Sequence, residues 1–279
     1  MIKFFKTLWH ALYNLFNDLS IDIAGYIAYM CLLALFPFLI LLVSIAGYVG
    51  SMEIAQVTIS QFYSVLPKEI ENAISPIINE ITTSPKRGTL IIFIIVIFWI
   101  SSSAIEAIRE GLNHAYKVQE HRSFIYRRLQ ALLFVVLGST AFLLASFVLI
   151  ILPVSLEIWQ FMNIYLDKIP VLPHEIETKI SILRLIGAYI SILVSTLAMY
   201  RWLPYHQIRL GHCLPGAMLS SGLWIIMAAS FSLYLQNFAR YDLFYGSLGG
   251  IVVTLLFFHL TAMLILYGAH FNRALYSEK

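Results

Sequence analysis

The chain has 279 residues, 60% hydrophobic and only 12% charged, with a formal net charge of +3. A soluble domain carries about twice that charged fraction, so the composition excludes a water-soluble globule. The small positive charge, with no basic stripe interleaved with aromatics, excludes a nucleic-acid interface. A mean hydropathy of +0.82 and recurrent apolar runs long enough to cross about 30 Å of hydrocarbon predict an all-α, polytopic membrane helix bundle.

In chain order, residues 1–23 open with MIKFFKTLWHALYNLFNDLS. Ile2, Phe5, Trp9, Leu12, Phe16 and Leu19 recur at helical spacing, while Lys6, His10 and Asn14 interrupt any signal-peptide core. An amphipathic helix lying in the membrane interface is predicted. A transmembrane domain over 24–275 follows, with six spans at about 24–50, 88–108, 129–153, 180–203, 213–235 and 247–271. The linker 51–87 carries Ile70, Ile74, Ile77, Ile78 and Ile81, a pattern for short surface helices. There is no convincing internal repeat, although two inverted three-helix halves fit the count. Cys31 and Cys213 lie in apolar segments and read as small buried hydrophobes.

Orientation follows from the loop cations. With both termini cytoplasmic, Lys3, Lys6, Arg109, Lys117, Arg122, Arg127, Arg128, Arg201, Arg209, Arg273 and Lys279 fall inside. The smaller set of Lys68, Lys86, Arg87, Lys168, Lys179 and Arg240 falls outside, and Arg184 alone lies within a span. The stretch YGSLGGIVVTLL, from Tyr245 to Leu256, then sits at the outer interface, where no phosphate-loop role fits. Helix packing through the Gly246/Gly250 pair is one reading. The other is an anionic headgroup held at the start of the span by Tyr245, Gly246, Ser247, Gly249 and Gly250, with Arg240 and Arg184 nearby.

Five blocks carry a family resemblance: AGYIAYMCLLALFPFLILLVSIAG at 24–47, LNHAY at 112–116, LPGAMLSSGLW at 214–224, FSLYLQNFARYDLFYGSLGG at 231–250 and LILYGAHFNRAL at 264–275. Together they resemble the YihY/BrkB family of bacterial inner-membrane proteins over nearly the whole chain. The resemblance implies six membrane helices and an inner-membrane location. It brings no settled chemistry: members have carried a mistaken ribonuclease label, a virulence label and suggestions of transport. Two positions depart from the family pattern. Gly268-Ala269-His270 stands where the family writes Gly-Ala-Glu, and His259 stands where it tends to have Tyr.

Depth sorts the remaining polar residues. Arg184 lies near the outer end of its span and can snorkel outward. Glu106, Arg109 and Glu110 share the inner end of the second span, just before Asn113, where they form either local interface pairs or a gate or cytoplasmic ion site, and His270 and Asn272 end the last span near the same level, where they would complete such a cluster. His259 falls near the midplane, where an imidazole must face protein or water. Pro37 is mid-span in the first helix and frees the carbonyl of Leu33.

No nucleophile with its base, no metal-ligand cluster and no cofactor motif is apparent, so neither an enzyme nor a metal site is expected. The ribonuclease reading fails on the same grounds. The first expectation is a translocator of lipid or small solute. The alternatives are a non-transporting envelope-assembly scaffold and a cation/proton exchanger, the latter weakened by the lack of a mid-span carboxylate. Membrane lipids are the expected partners, and a homo-oligomer or an envelope-protein partner is compatible with the sequence.

Overall fold

The computed structural model describes residues 2–49, 87–140, 174–206, 208–237 and 248–277, and every regular element among them is helical. Helix α1 spans Ile2–Asn17, α2 Ser20–Val49, α3 Arg87–Tyr116 and α4 residues 124–140. Helix α5 spans His174–Trp202, α6 Leu210–Asn237 and α7 Leu248–Ser277. The linker 51–86 and the second half of the predicted third span lie outside the described residues.

Helix α1 is amphipathic, but its broad apolar face is not its packing face. Thr7, Ala11 and Leu15 form the buried stripe, whereas Phe5 and Trp9 are 69% and 72% exposed and Tyr13 and Phe16 are exposed as well. Small residues let α1 lie close on α7, and the large apolar side chains turn away from the bundle. An elbow then bends the chain by 70° into α2. Leu19 makes that turn in the left-handed region, at φ 55°, a conformation that costs a non-glycine residue about 1 kcal/mol. The Asp18 N–H closes α1 on the Asn14 carbonyl, and the Ile23 N–H opens α2 on the carbonyl of Leu19.

Helix α7 is central. It packs against α1, α2, α3 and α6, while α2 lies along α3 and α5 along α6. The helices alternate in direction: the starts of α2, α4 and α6 gather with the ends of α3, α5 and α7. Ser20 meets His270, Gln130 meets the Trp202 carbonyl, and Gly216 meets Asn272. The buried apolar core, with Ile27, Ala107, Leu112, Tyr200, Leu203, Ala217 and Leu266, also sits toward this end.

Two glycines set the α6–α7 spacing. A Cβ at Gly216 would collide with the Gly268 carbonyl and the Asn272 amide, and one at Gly268 would collide with the Ser220 and Tyr200 hydroxyls. This backbone-to-backbone approach is what small residues allow between membrane helices. Pro215 lies inside α6 and cannot donate to the Gly211 carbonyl four residues back. The Tyr276 hydroxyl donates to that carbonyl instead, at 3.0 Å.

Helices α3 and α7 run beyond their predicted ends at 108 and 271. Their last turns are polar, and they stay helical because protein covers them: Arg109, Asn113, His270 and Asn272 are all buried. Among the described residues, Leu210–Leu235 and Gly249–Tyr276 are long and apolar enough to cross a membrane. The bent pair Phe5–Asn17 and Ser20–Leu35 also qualifies when taken as one span.

Candidate functional site

Helix α3 delivers Glu106, Arg109 and Asn113 to the gathered end of the bundle, where i,i+3 and i,i+4 spacing puts Arg109 beside both neighbours. Its last turn closes with Lys117 at φ 53°. The Lys117 N–H bonds the His114 carbonyl, and the Val118 N–H reaches back to that of Asn113 at 2.8 Å, the paired bonds of a Schellman stop. The reversal folds Glu120 back onto α3, so that the Asn113 amide donates to its Oε2 at 3.0 Å.

Arg109 is completely buried. Its guanidinium pairs with Glu106 and donates to the Arg127 carbonyl at 3.1 Å and to Gln130 Oε1 at 3.3 Å. Arg127 meets the second oxygen of Glu106 at 2.7 Å. Arg122 donates from Nε and Nη2 to the two oxygens of Glu120 at 2.8 and 2.6 Å, to Gln130 at 3.0 Å and to the Leu203 carbonyl at 2.8 Å. Gln130 in turn donates to the Trp202 carbonyl at 2.6 Å, and the Tyr205 N–H donates to Asn113 Oδ1 at 2.9 Å. Three guanidinium groups and two carboxylates thus tie α3, its exit loop, α4 and the end of α5 together.

Burial opposes ionisation of Glu120, but the Arg122 side chain and backbone, with the Asn113 amide, overcome it and hold the carboxyl at about 2. The same pairing with Glu120 raises the Arg122 guanidinium above its ordinary value. Paired, hydrogen-bonded charges of this kind keep their ionised forms when shielded from water. The network can lock the ends of three helices, or release them if its pairs are exchanged.

A second group lies on α7. Asn272 accepts the Gly216 N–H at 2.7 Å and donates to the Cys213 carbonyl at 3.1 Å and the Tyr116 hydroxyl at 3.2 Å. His270 Nε2 shares a hydrogen bond with Ser20 Oγ at 2.8 Å, and its Nδ1 is buried with no hydrogen-bond partner. Beside it, Asp18 at the elbow faces Lys117 at 3.6 Å and Arg273 at 4.0 Å. His259 is half-buried, its ring against α2 so that a Cβ at Gly25 would lie 3.8 Å from Nδ1.

The structure therefore brings Glu106, Arg109 and Asn113 into one network, and Asn272 and His270 into separate clips at the same end. It does not join the two groups as ligands of a common site. Pro37 falls within α2, but its side chain lies outside the described ones, as does that of Arg184. Arg240, Tyr245, Gly246 and Ser247 also lie outside the described residues. Gly249 is buried and Gly250 exposed. No described atom lies within 4 Å of a Cβ built at Gly250, and among the described residues the close backbone approach between helices is made at Gly216 and Gly268. Sequence reasoning reads Arg122 and Arg127 only as loop cations and passes over Glu120 and Gln130. It also missed the roles of Tyr200 and Ser220, whose hydroxyls meet at 2.8 Å. The small-residue spacing of Gly216 and Ser220, with Gly268 on the last helix, was the available signal.

Apolar helices packed through glycines, with their charges gathered between helix ends, define a helical integral membrane protein. The chain belongs to the BrkB family: the family model described as virulence factor BrkB matches residues 12–279. It is 30% identical to the ribonuclease-like protein YfkH of Bacillus subtilis over 91% of this chain and 89% of that relative. It is also 25% identical to UPF0761 membrane proteins of Aliivibrio salmonicida, over 90% of this chain and 77% of the relative, and of Vibrio parahaemolyticus, over 98% and 82%. No solved structure matches the chain.

Proposed function

We propose that this protein is a six-span translocator of lipid or small solute in the bacterial inner membrane, with both termini cytoplasmic and no catalytic role. Strict alternation of helix direction supports an even number of spans, and the excess of Lys and Arg at the gathered end supports its cytoplasmic placement. The observation that carries the reading is Arg109, a completely buried guanidinium held between helices α3 and α4 at one end of an apolar bundle. An ionisable group in a membrane helix faces a protein interior or a water path. Here it belongs to a set of exchangeable pairs that closes the inner end, and His259 against Gly25 offers a polar group further along the same bundle.

Reconstitution into liposomes tests this. A fluorescent-lipid flip assay and a proton-flux assay, run on the same vesicles, separate the classes. Flip without proton flux supports translocation of lipid, coupled flux supports an exchanger, and neither supports the scaffold.

A further inference from the structure

Beside the Glu106 network, helices α3 and α4 leave a groove of about 360 Å³ lined by Ile95, Phe98, Trp99, Ser102, Arg128 and Leu132. Arg127 and Arg128 are consecutive on α4 and point about 100° apart, so one enters the network and the other the groove. The walls are apolar except at Arg128 and Ser102, and the Ser102 hydroxyl is already donated to the Trp99 carbonyl at 2.9 Å.

Arg128 differs from its neighbours. Arg109, Arg122 and Arg127 each touch a carboxylate, whereas among the described residues none pairs with Arg128. Its guanidinium lies 4.0 Å over the Trp99 ring and donates to the Trp99 carbonyl and to Ser103 Oγ, both at 3.2 Å. Its Nε is buried without a partner. Neutral acceptors and a ring face leave the cation without a counter-charge.

The rest of the groove says what kind of anion fits. Ile95 and Trp99 are exposed, and Phe124, Leu129 and Leu133 continue the exposed apolar surface along α4. From Arg128 and Trp99 the groove runs about one helical turn, some 6 Å, toward Ile95 and Leu132. A tryptophan beside an arginine, with apolar surface below, matches the level of lipid headgroups. We propose that this groove seats one anionic phospholipid, its phosphate on Arg128 and the upper part of an acyl chain against Ile95, Phe98, Trp99 and Leu132. In the topology above, the lipid comes from the cytoplasmic leaflet. The inference rests on α3 and α4 being membrane helices, and not on transport.

The test uses the full chain in phosphatidylcholine vesicles containing a small fraction of lipid with brominated acyl chains, which quench nearby tryptophans. The difference between the wild-type protein and Trp99→Phe isolates the Trp99 signal. Brominated phosphatidylglycerol is expected to quench that signal about five-fold more effectively than brominated phosphatidylcholine, the worth of one basic residue at a membrane surface. Arg128→Gln should abolish the preference and Arg128→Lys should retain it. Equal quenching by the two lipids in the wild-type protein overturns the proposal, and so does a preference that survives in Arg128→Gln. Binding is read without any transport step, so a silent flip assay on the same vesicles counts against translocation and not against this site.

Discussion

Gly216 of α6 donates its backbone N–H to the side chain of Asn272 of α7 at 2.7 Å. The bond exists because Gly216 and Gly268 let the two helices touch through their backbones, which brings a side-chain amide within reach of main-chain groups beside Pro215. Asn272→Leu would leave the Gly216 N–H and the Cys213 carbonyl without this partner, at about 1–3 kcal/mol. The expected outcome is a lower melting temperature in detergent, measured by intrinsic fluorescence, with insertion retained.

The glycines give a sharper comparison. Gly216→Ala and Gly268→Ala should each lower the melting temperature clearly, because the new Cβ meets backbone or fixed hydroxyls. Gly250→Ala should change it little, since that position faces open space among the described residues. Equal effects at all three positions would show that the α6–α7 contact is not where the fold is most tightly constrained.

How far the sequence told this story depends on the residue. Helix existence was legible because apolar runs of span length leave few alternatives, but helix ends were not. The polar turns after 108 and 271 read as exits from the membrane, whereas other helices cover them. The gathering of Glu106, Arg109 and Asn113 was visible from their spacing on one helix. Their partners on α4 were not, because Arg127 and Gln130 reach them only through the reversal at Lys117. The GxxxG at Gly246 and Gly250 drew attention by its pattern, while the contact that the described helices make uses Gly216 and Gly268, which lie far apart in sequence.

Glu106 holds two arginines, and removing its charge would leave Arg109 buried without a counter-ion. Breaking one side of a buried pair costs about 3–5 kcal/mol. Glu106→Gln should therefore unfold at a lower temperature than the wild-type protein by more than any exposed carboxylate substitution, such as Glu110→Gln. Thermal unfolding in mixed micelles checks the order.

The pH dependence has a definite sign. In the folded protein the Glu120 carboxyl is held at about 2, below its ordinary 4.5, so its contribution to stability is complete above about 4.5. That contribution is lost as pH falls from there toward 2. Thermal unfolding at a series of pH values between 6 and 3 should show a steeper decline for the wild-type protein than for Glu120→Gln.

Topology can be read with single cysteines in a variant lacking Cys31 and Cys213. Gln119→Cys should be protected from an impermeant thiol reagent added outside intact cells, and Glu175→Cys should react. The reverse pattern would turn the bundle over.

For the proposed function, the charged end of the bundle must open for cargo to pass. Asn113 and Tyr205 meet there at 2.9 Å across α3 and the chain leaving α5. In the background without native cysteines, Asn113→Cys and Tyr205→Cys can be joined by a short, reducible thiol cross-linker and assayed for lipid flip and solute flux in liposomes. Transport is expected before cross-linking, with its loss once the residues are joined and its return on reduction. Transport that continues unchanged with the two residues joined would contradict that requirement.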